Sequence, residues 1–520
     1  YGARAGNGVV VITTKKGMNG RTVIDVNSSF TLQGSTKIHR PQSSGQRAQL
    51  LRESHINQGL PMEQVPYTEE QIEKYFRGDD PHYLNSDWFK ATIREYAPQQ
   101  NHNIVIRGGT ERLQFYNFFS YNKQETILKH DGGFYERFNF QSNINAEIIN
   151  NLHLSVNVNS IWENRNFSYL GLFGGSNFWD GLYDSDPKLP ISLPDDTKLA
   201  YGGIAYGNII AAGSTKINGY TKTLDRENRI NATLKYDVER IPGLTLKAFI
   251  DMTENTTRQK EFRKQHKFYR YNIDTGEYTF EKSGQDPTGL TESYRGNKVF
   301  TQQYSVSYEN LLKEKHRISV LGLFESIAYR GNDLLGKRGD FISDAIEQIN
   351  AGGIGSSYAS GSASEMGRAS WVGRFNYAYQ DKYLIETIIR ADASAKFPPK
   401  KRWGYFPSIS IGWVVSEEDF MKNYDKIDHL KLRASYGASG NDAVGNFQYL
   451  SGYAFDGQYI LGDKTYPGLY MTGLANPLLT WEKMNIYNVG VDFSYNNRTL
   501  YGSFDGFYRL RSGIPGHRSV

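Results

Sequence analysis

The chain has 520 residues, 52 of them glycine, with no cysteine and a ring content of 14% supplied mainly by 37 Tyr and 28 Phe. No run approaches the roughly 18 to 20 consecutive apolar residues of a membrane-spanning helix, and 60 basic against 55 acidic residues is too even a balance to point to nucleic acid. The absence of cysteine excludes a disulfide framework and thiolate metal sites, and so many rings exclude a disordered chain.

The sequence opens at Tyr1 without a basic and apolar leader and soon reaches Val9-Val10-Val11-Ile12, a β-branched run that fits a strand buried on both faces. From about Thr22 period-2 alternation sets in. A first long polar segment carries helix signals. Ser44 is placed to cap Gly45 to Asn57, and Thr68 with Gln71 forms a capping box for a helix that buries Ile72, Tyr75 and Phe76 and stops at Gly78. A third helix follows Ser86, with Trp88, Phe89, Ile93 and Tyr96 on one face.

Alternation then recurs from Phe138 to Ala146, Leu152 to Asn159, Ile230 to Val238, Thr245 to Met252, Leu430 to Tyr436 and Tyr487 to Tyr495. Each such strand has one oily and one wet face, which suits either a half-buried sheet in water or a transmembrane barrel. Connection lengths discriminate. Gly108-Gly109-Thr110, Asn150-Asn151, Pro242-Gly243, Lys313-Glu314-Lys315, Gln380-Asp381 and Asn496-Asn497 are tight turns. Between them lie long polar connections, roughly Lys37 to Gln100, Asn164 to Asp225, Phe262 to Lys298, Asn332 to Ser364 and Gly440 to Met484. A barrel with short periplasmic turns and long extracellular loops produces this alternation.

Lys235, Asp237, Lys247, Asp251, Lys431 and Arg433 fall on the wet phase, as a water-filled lumen requires. Trp371, Phe375, Tyr377, Tyr379, Tyr405, Phe406 and Trp413 are placed as an interfacial girdle. The fold class expected is therefore all-β, a transmembrane antiparallel β-barrel of about 15 strands. An odd, open sheet leaves edges that lipid does not tolerate, so further closing strands are expected.

Signals for catalysis are weak. The ten histidines are scattered, with no His-Glu-x-x-His pair, so zinc is not expected. Gly352-Gly353-Ile354-Gly355 lies in a Gly/Ser loop rather than between a strand and a helix, and the carboxylate runs Glu417-Glu418-Asp419 and Asp195-Asp196 read as solvated rims. The densest loop, Phe178 to Asp186, sets rings that stack on sugar faces beside carboxylates that accept hydroxyl protons. Trp179, Asp180 and Tyr183 are its candidate ligand or lid contacts. Its oxygen ligands are also compatible with calcium, although the spacing is not that of an EF-hand, and so is simple packing of the loop on itself.

Tyr1-Gly2-Ala3-Arg4-Ala5-Gly6-Asn7-Gly8, followed by Val9 to Ile12, Thr14 and Gly17, resembles the end of the plug domain in the SusC/RagA family of TonB-dependent outer-membrane transporters. Ala97 to Thr110, Arg390 to Glu418 (with Arg402 to Ser408, Gly412 and Trp413) and Asn476 to Tyr508 also match the family pattern. Gly6, Ala393 and Pro398-Pro399 depart from it, at positions expected to lie in turns. The resemblance implies that residues 1–20 are the C-terminal end of a plug, with Tyr1, Gly2, Ala3, Arg4, Asn7, Gly8, Thr14 and Gly17 forming the plug-barrel junction. Residues 21–520 would be part of a barrel of about 22 strands. It further implies a bacterial outer-membrane importer of an oligosaccharide or peptide, no cofactor, a SusD-like lipoprotein lid, and energy from TonB-ExbB-ExbD through a segment not in this sequence. The alternative is a surface β-rich glycan-binding protein without transport.

Overall fold

The computed structural model describes residues 15, 17–170, 177–285, 287–471 and 473–514, with the backbone alone at Asn177 and Asp456. Val9 to Ile12 therefore lie outside the described residues. In chain order the elements are β1 (Gly20–Gln33), α1 (Ser44–Asn57), α2 (Glu69–Arg77), α3 (Trp88–Thr92), β2 (Ala97–Gly109), β3 (Leu113–Glu125), β4 (Gly133–Ile149) and β5 (Leu152–Ser168). There follow α4 (Asn177–Asp184), β6 (Leu199–Ala200), α5 (Ile209–Gly213), β7 (Gly219–Asp237), β8 (Leu244–Arg263), β9 (His266–Tyr271), β10 (Tyr278–Gly284), β11 (Gly289–Leu312) and β12 (His316–Gly339). The last are β13 (Tyr358–Tyr379), β14 (Tyr383–Ser394), β15 (Trp403–Val414), β16 (Ile427–Asn441), β17 (Tyr453–Leu461), β18 (Lys464–Met471), β19 (Glu482–Tyr495) and β20 (Leu500–Ser512).

Fifteen of these strands form one antiparallel sheet in the order β1-β2-β3-β4-β5-β7-β8-β11-β12-β13-β14-β15-β16-β19-β20. Within this sheet each strand pairs with the next sheet strand along the chain, so turn-end and loop-end connections alternate strictly. The six tight turns expected from sequence join β2–β3, β4–β5, β7–β8, β11–β12, β13–β14 and β19–β20. Lys313 and Glu314, Gln380 and Asp381, and Asn496 and Asn497 all take left-handed φ between 49° and 55°, the geometry whose twist matches a hairpin. Gly243 has φ 89°, and a Cβ there would sit 1.9 Å from the Glu309 carbonyl oxygen, which is why Pro242 is followed by glycine.

The outward face identifies its surroundings. On β7, β8 and β11 it carries Ile230, Leu234 and Tyr236, Leu246, Ile250 and Met252, and Phe300, Tyr304 and Val306, each large and exposed and cross-paired in register. One step beyond Met252 and Phe300 the same face turns ionic: Lys298 pairs with Glu254 at 3.0 Å. On β12 and β13 the switch falls at Arg330 and Glu365, 3.2 Å apart. From Leu244 to Met252 the outward run is nine residues, the length of a tilted strand crossing a bilayer.

The inward phase is polar. Asn157 donates to Asn231 at 2.8 Å, Arg229 to Asp251 at 2.6 Å, and Arg433 to both Asp492 and Asp505. These pairs line the lumen as the sequence predicts.

Several sequence expectations are corrected. The long connections are shorter than expected: β5 continues to Ser168, β7 starts at Gly219, β11 at Gly289 and β13 at Tyr358. Above the membrane both strand faces are polar, so apolar alternation fades while the backbone ladder continues. Helix α1 is capped by Ser43, not Ser44, because only Ser43 has a Gln three residues on; its side chain accepts from Gln46 N while Gln46 returns a contact to Ser43 N. Helix α2 has the expected Thr68/Gln71 box and its Gly78 cap at φ 63°, although Phe76 stays half exposed. Helix α3 stops at Thr92, which leaves Tyr96 outside it.

Two girdle expectations also change. Phe406 points inward and is buried, since it alternates with the exposed Tyr405. Trp371 and Phe375 lie near the middle of the lipid band rather than at its rim. The turn-end rim is formed instead by His316, Tyr377, Tyr379, Tyr383 and Trp413, with His316 and Tyr379 rings 5.0 Å apart and Trp413 Nε1 donating to Glu418 at 3.0 Å.

Candidate functional site at the loop end

Three of the loop-end connections pack on one another. Segments 34–96, 126–132 and 169–218 share one apolar core of Trp88, Ile93, Leu128, Phe178, Leu182, Ile204, Ile209 and Ala212. Burial of these side chains is what orders loops of this length. Polar groups complete the fastening. Trp88 Nε1 donates to the Asp186 carbonyl at 2.9 Å, and Arg94 donates to the Leu128 carbonyl and to Glu125. The Asn208 side chain caps α5 while its amide donates to the Ala200 carbonyl at 2.8 Å. The fourth loop joins through β6, which pairs parallel with β9. Gly207 at φ 80° leaves the room that Phe268 occupies.

Trp179, Asp180 and Tyr183 lie in the long connection between β5 and β7, on a helix, α4, that the sequence did not signal. Phe178, Gly181, Leu182 and Ser185 face the core, while Asp180, Tyr183 and Asp184 face out and Trp179 is half-buried at the edge. Gly181 permits the close packing, since a Cβ there would already touch Ile209 and Ile204. The helix thus brings together a ring and two carboxylates on one exposed face, with the Trp179 ring packed edge-on to Phe178 at 5.6 Å. Asp186 diverges from that face toward Arg47, 3.7 Å away. Among the described residues no three metal-binding side chains converge.

The other singled-out carboxylates are engaged elsewhere. Lys198 and Thr197 hold the Asp195 carboxyl down at about 2. Glu418 accepts from Tyr383 and Trp413, and Asp419 pairs with Lys422 at 2.7 Å.

Of the junction residues, Tyr1, Gly2, Ala3, Arg4, Asn7, Gly8 and Thr14 lie outside the described residues. Gly17 is buried against β3, where a Cβ would lie 2.6 Å from the Phe115 backbone nitrogen. Beside it the buried Asn143 of β4 donates to the Lys15 carbonyl at 2.9 Å. Asn143 was not anticipated; the only signal for it is the polar phase it shares with Asn157 and Asn231.

His266, at the start of β9, is enclosed by Phe268, 4.8 Å away and edge-on, and by Gly284, where a Cβ would be 2.3 Å from its Nε2. Burial pushes its imidazole below the usual value of 6.5. The closed loop therefore binds fewer protons than the opened one, and its stability falls as pH drops below about 6.5. Proteolysis within residues 264–288 should be faster at pH 5 than at pH 8, and His266→Phe should remove the difference; equal rates in the unsubstituted protein would refute this.

The family model described as TonB dependent receptor-like, beta-barrel matches residues 192–514. The chain belongs to the TonB-dependent receptor β-barrel family. Within it the resemblance to the SusC/RagA type holds. The chain is 26% identical to TonB-dependent receptor P26 of Formosa agariphila, over 99% of this chain and 49% of that receptor. It is 25% identical to TonB-dependent receptor SusC of Bacteroides thetaiotaomicron, over 98% of this chain and 49% of that receptor. Among solved structures, the RagAB peptide importer in its closed-closed state superimposes with a TM-score of 0.73 at 22% identity, covering 99% of this chain and 57% of that one. The chain spans about half the length of the curated receptors it matches.

Proposed function

We propose that this TonB-dependent receptor barrel serves the import of a large nutrient, an oligosaccharide or a peptide, across the outer membrane of a Gram-negative bacterium. The observation that carries the reading is that the five longest connections all lie at one end of a sheet whose outward face is apolar over one bilayer. Capture occurs at the loop end, where the α4 face of Asp180, Tyr183 and Asp184 offers a ring to stack on and carboxylates to accept hydrogen bonds. A SusD-like surface lipoprotein closes over these loops, and energy enters from TonB through the plug that precedes β1. Support for the partner and for TonB comes from the similarity to SusC and to the RagAB importer. Gly17 and Asn143 hold the segment leading from that plug against the lumen wall, and passage needs no covalent step.

The test is uptake of fluorescent oligosaccharides and peptides by cells carrying the full-length receptor, with and without TonB. Asp180→Ala with Tyr183→Ala is expected to weaken capture about tenfold, near 1.4 kcal/mol, with the protein still present in the membrane at its usual level. Uptake unchanged by loss of TonB would refute import by this route.

A further inference from the structure

Gly322 of β12 and Gly373 of β13 are direct partners across the ladder on the lipid-facing side. Neither has a left-handed φ, and a Cβ added to either meets no atom within 4 Å. The chain's own backbone and packing therefore do not call for glycine here. Inside a strand glycine is destabilising, and it marks places where something else approaches the backbone closely.

Large side chains wall the two glycines. The Phe324 and Trp371 rings, 4.7 Å apart, stand on one side. They border a groove of about 970 Å³ that runs from Leu234 and Tyr236 of β7 across the two glycines to Ile389 of β14, and its outward-facing lining is aliphatic, aromatic or glycine. Its depth is fixed by the flanking residues. Gly322 lies midway between His316 at the turn-end rim and Ala328, and Gly373 midway between Tyr379 and Gly367. The next outward positions are the Arg330–Glu365 ion pair. The groove thus sits near the middle of an apolar band about 25 Å tall, the depth reached by the acyl chains of one leaflet. At the turn end of β12, in its connection to β11, Lys313 and Lys315 are exposed on either side of Glu314, and among the described residues neither lysine is in an ion pair.

We propose that this groove seats one acyl chain of a phospholipid from the turn-side leaflet, with its phosphate drawn to Lys313 and Lys315. The occupant is lipid because a cavity at this depth on the outward face meets hydrocarbon, while the free cations supply the charge that a phosphate headgroup matches.

The test uses the full-length receptor in detergent with added phosphatidylglycerol, followed by native mass spectrometry. One phospholipid per chain should persist, and Gly322→Leu with Gly373→Leu should lower retention at least about fivefold, as expected when a few buried methylenes lose their seat. Lys313→Gln with Lys315→Gln should weaken it as well. Equal retention in all variants overturns the proposal. So does a dimer that is lost in the leucine variant while lipid retention is unchanged, which would assign the groove to a second copy. Heat-modifiable mobility confirms that each variant is folded. Should the leucine pair fail to fold, phosphatidylglycerol brominated at its chain end should quench Trp371 fluorescence and saturate at one lipid per chain, read against Trp371→Phe; quenching that does not saturate overturns the proposal.

Discussion

Asp442→Ala is expected to release the segment between β16 and β19 while the barrel stays folded. The Asp442 carboxylate is fully buried, and Arg368, only 14% exposed, donates to both of its oxygens. Ser394 adds a hydrogen bond at 2.9 Å, and Lys396 reaches the carbonyls of Asp442 and Val444. This network roots the loop at its start. At its far end, Trp481 is buried among Phe397, Phe406 and Leu479, with its Nε1 donating to the Arg402 carbonyl at 2.8 Å. Removing one partner of a buried pair leaves the other charge uncompensated, at about 3–5 kcal/mol. Hydrogen exchange across residues 442–481 should therefore accelerate by about two to four orders of magnitude. Pairing the change with Arg368→Met should restore part of the protection, because the orphaned charge is then gone. Unchanged exchange would mean that the pair does not root the loop.

The second large effect concerns the outward face. Ile250 is 46% exposed and lies inside the lipid band of β8, so Ile250→Arg should cost about 2–4 kcal/mol. Thr233→Arg, close by on the lumen phase of β7, should cost about 0.5 kcal/mol or less, because that face meets water. Urea unfolding in lipid vesicles reads both. A sheet with water on both sides would tolerate Ile250→Arg as readily as Thr233→Arg.

Much of this architecture is legible in the residues because lipid imposes a strict period. Where hydrocarbon meets one face and water the other, as from Ile230 to Tyr236 or Leu246 to Met252, alternation and turn chemistry yield the strand count and the turns. Where strands rise above the band, as from Gly289 to Val299 or Tyr358 to Ser364, both faces are polar and the pattern is lost, so sequence reads them as loop. The candidate site was half legible. Its residue types stood out, but α4 is only eight residues long and carries Gly181 at its centre, too short for a helical period to show. What makes its display face is the packing of Phe178 and Leu182 against Ile209 and Trp88, contacts set by loops distant in sequence. The Arg368–Asp442 root and the groove at Gly322 and Gly373 are likewise products of register. Nothing near either residue in the chain announces its partner.

In the proposed orientation the long loops and α4 face outward from the cell while the tight turns face the periplasm. The chain contains no cysteine, so a single cysteine introduced into it is read against the unsubstituted full-length receptor, whose labelling gives the background. With a membrane-impermeant maleimide, Asp180→Cys should label on intact cells, and Glu314→Cys only after the outer membrane is permeabilised. Labelling of Glu314→Cys on intact cells would contradict the orientation, and with it the capture of a nutrient at the loop end.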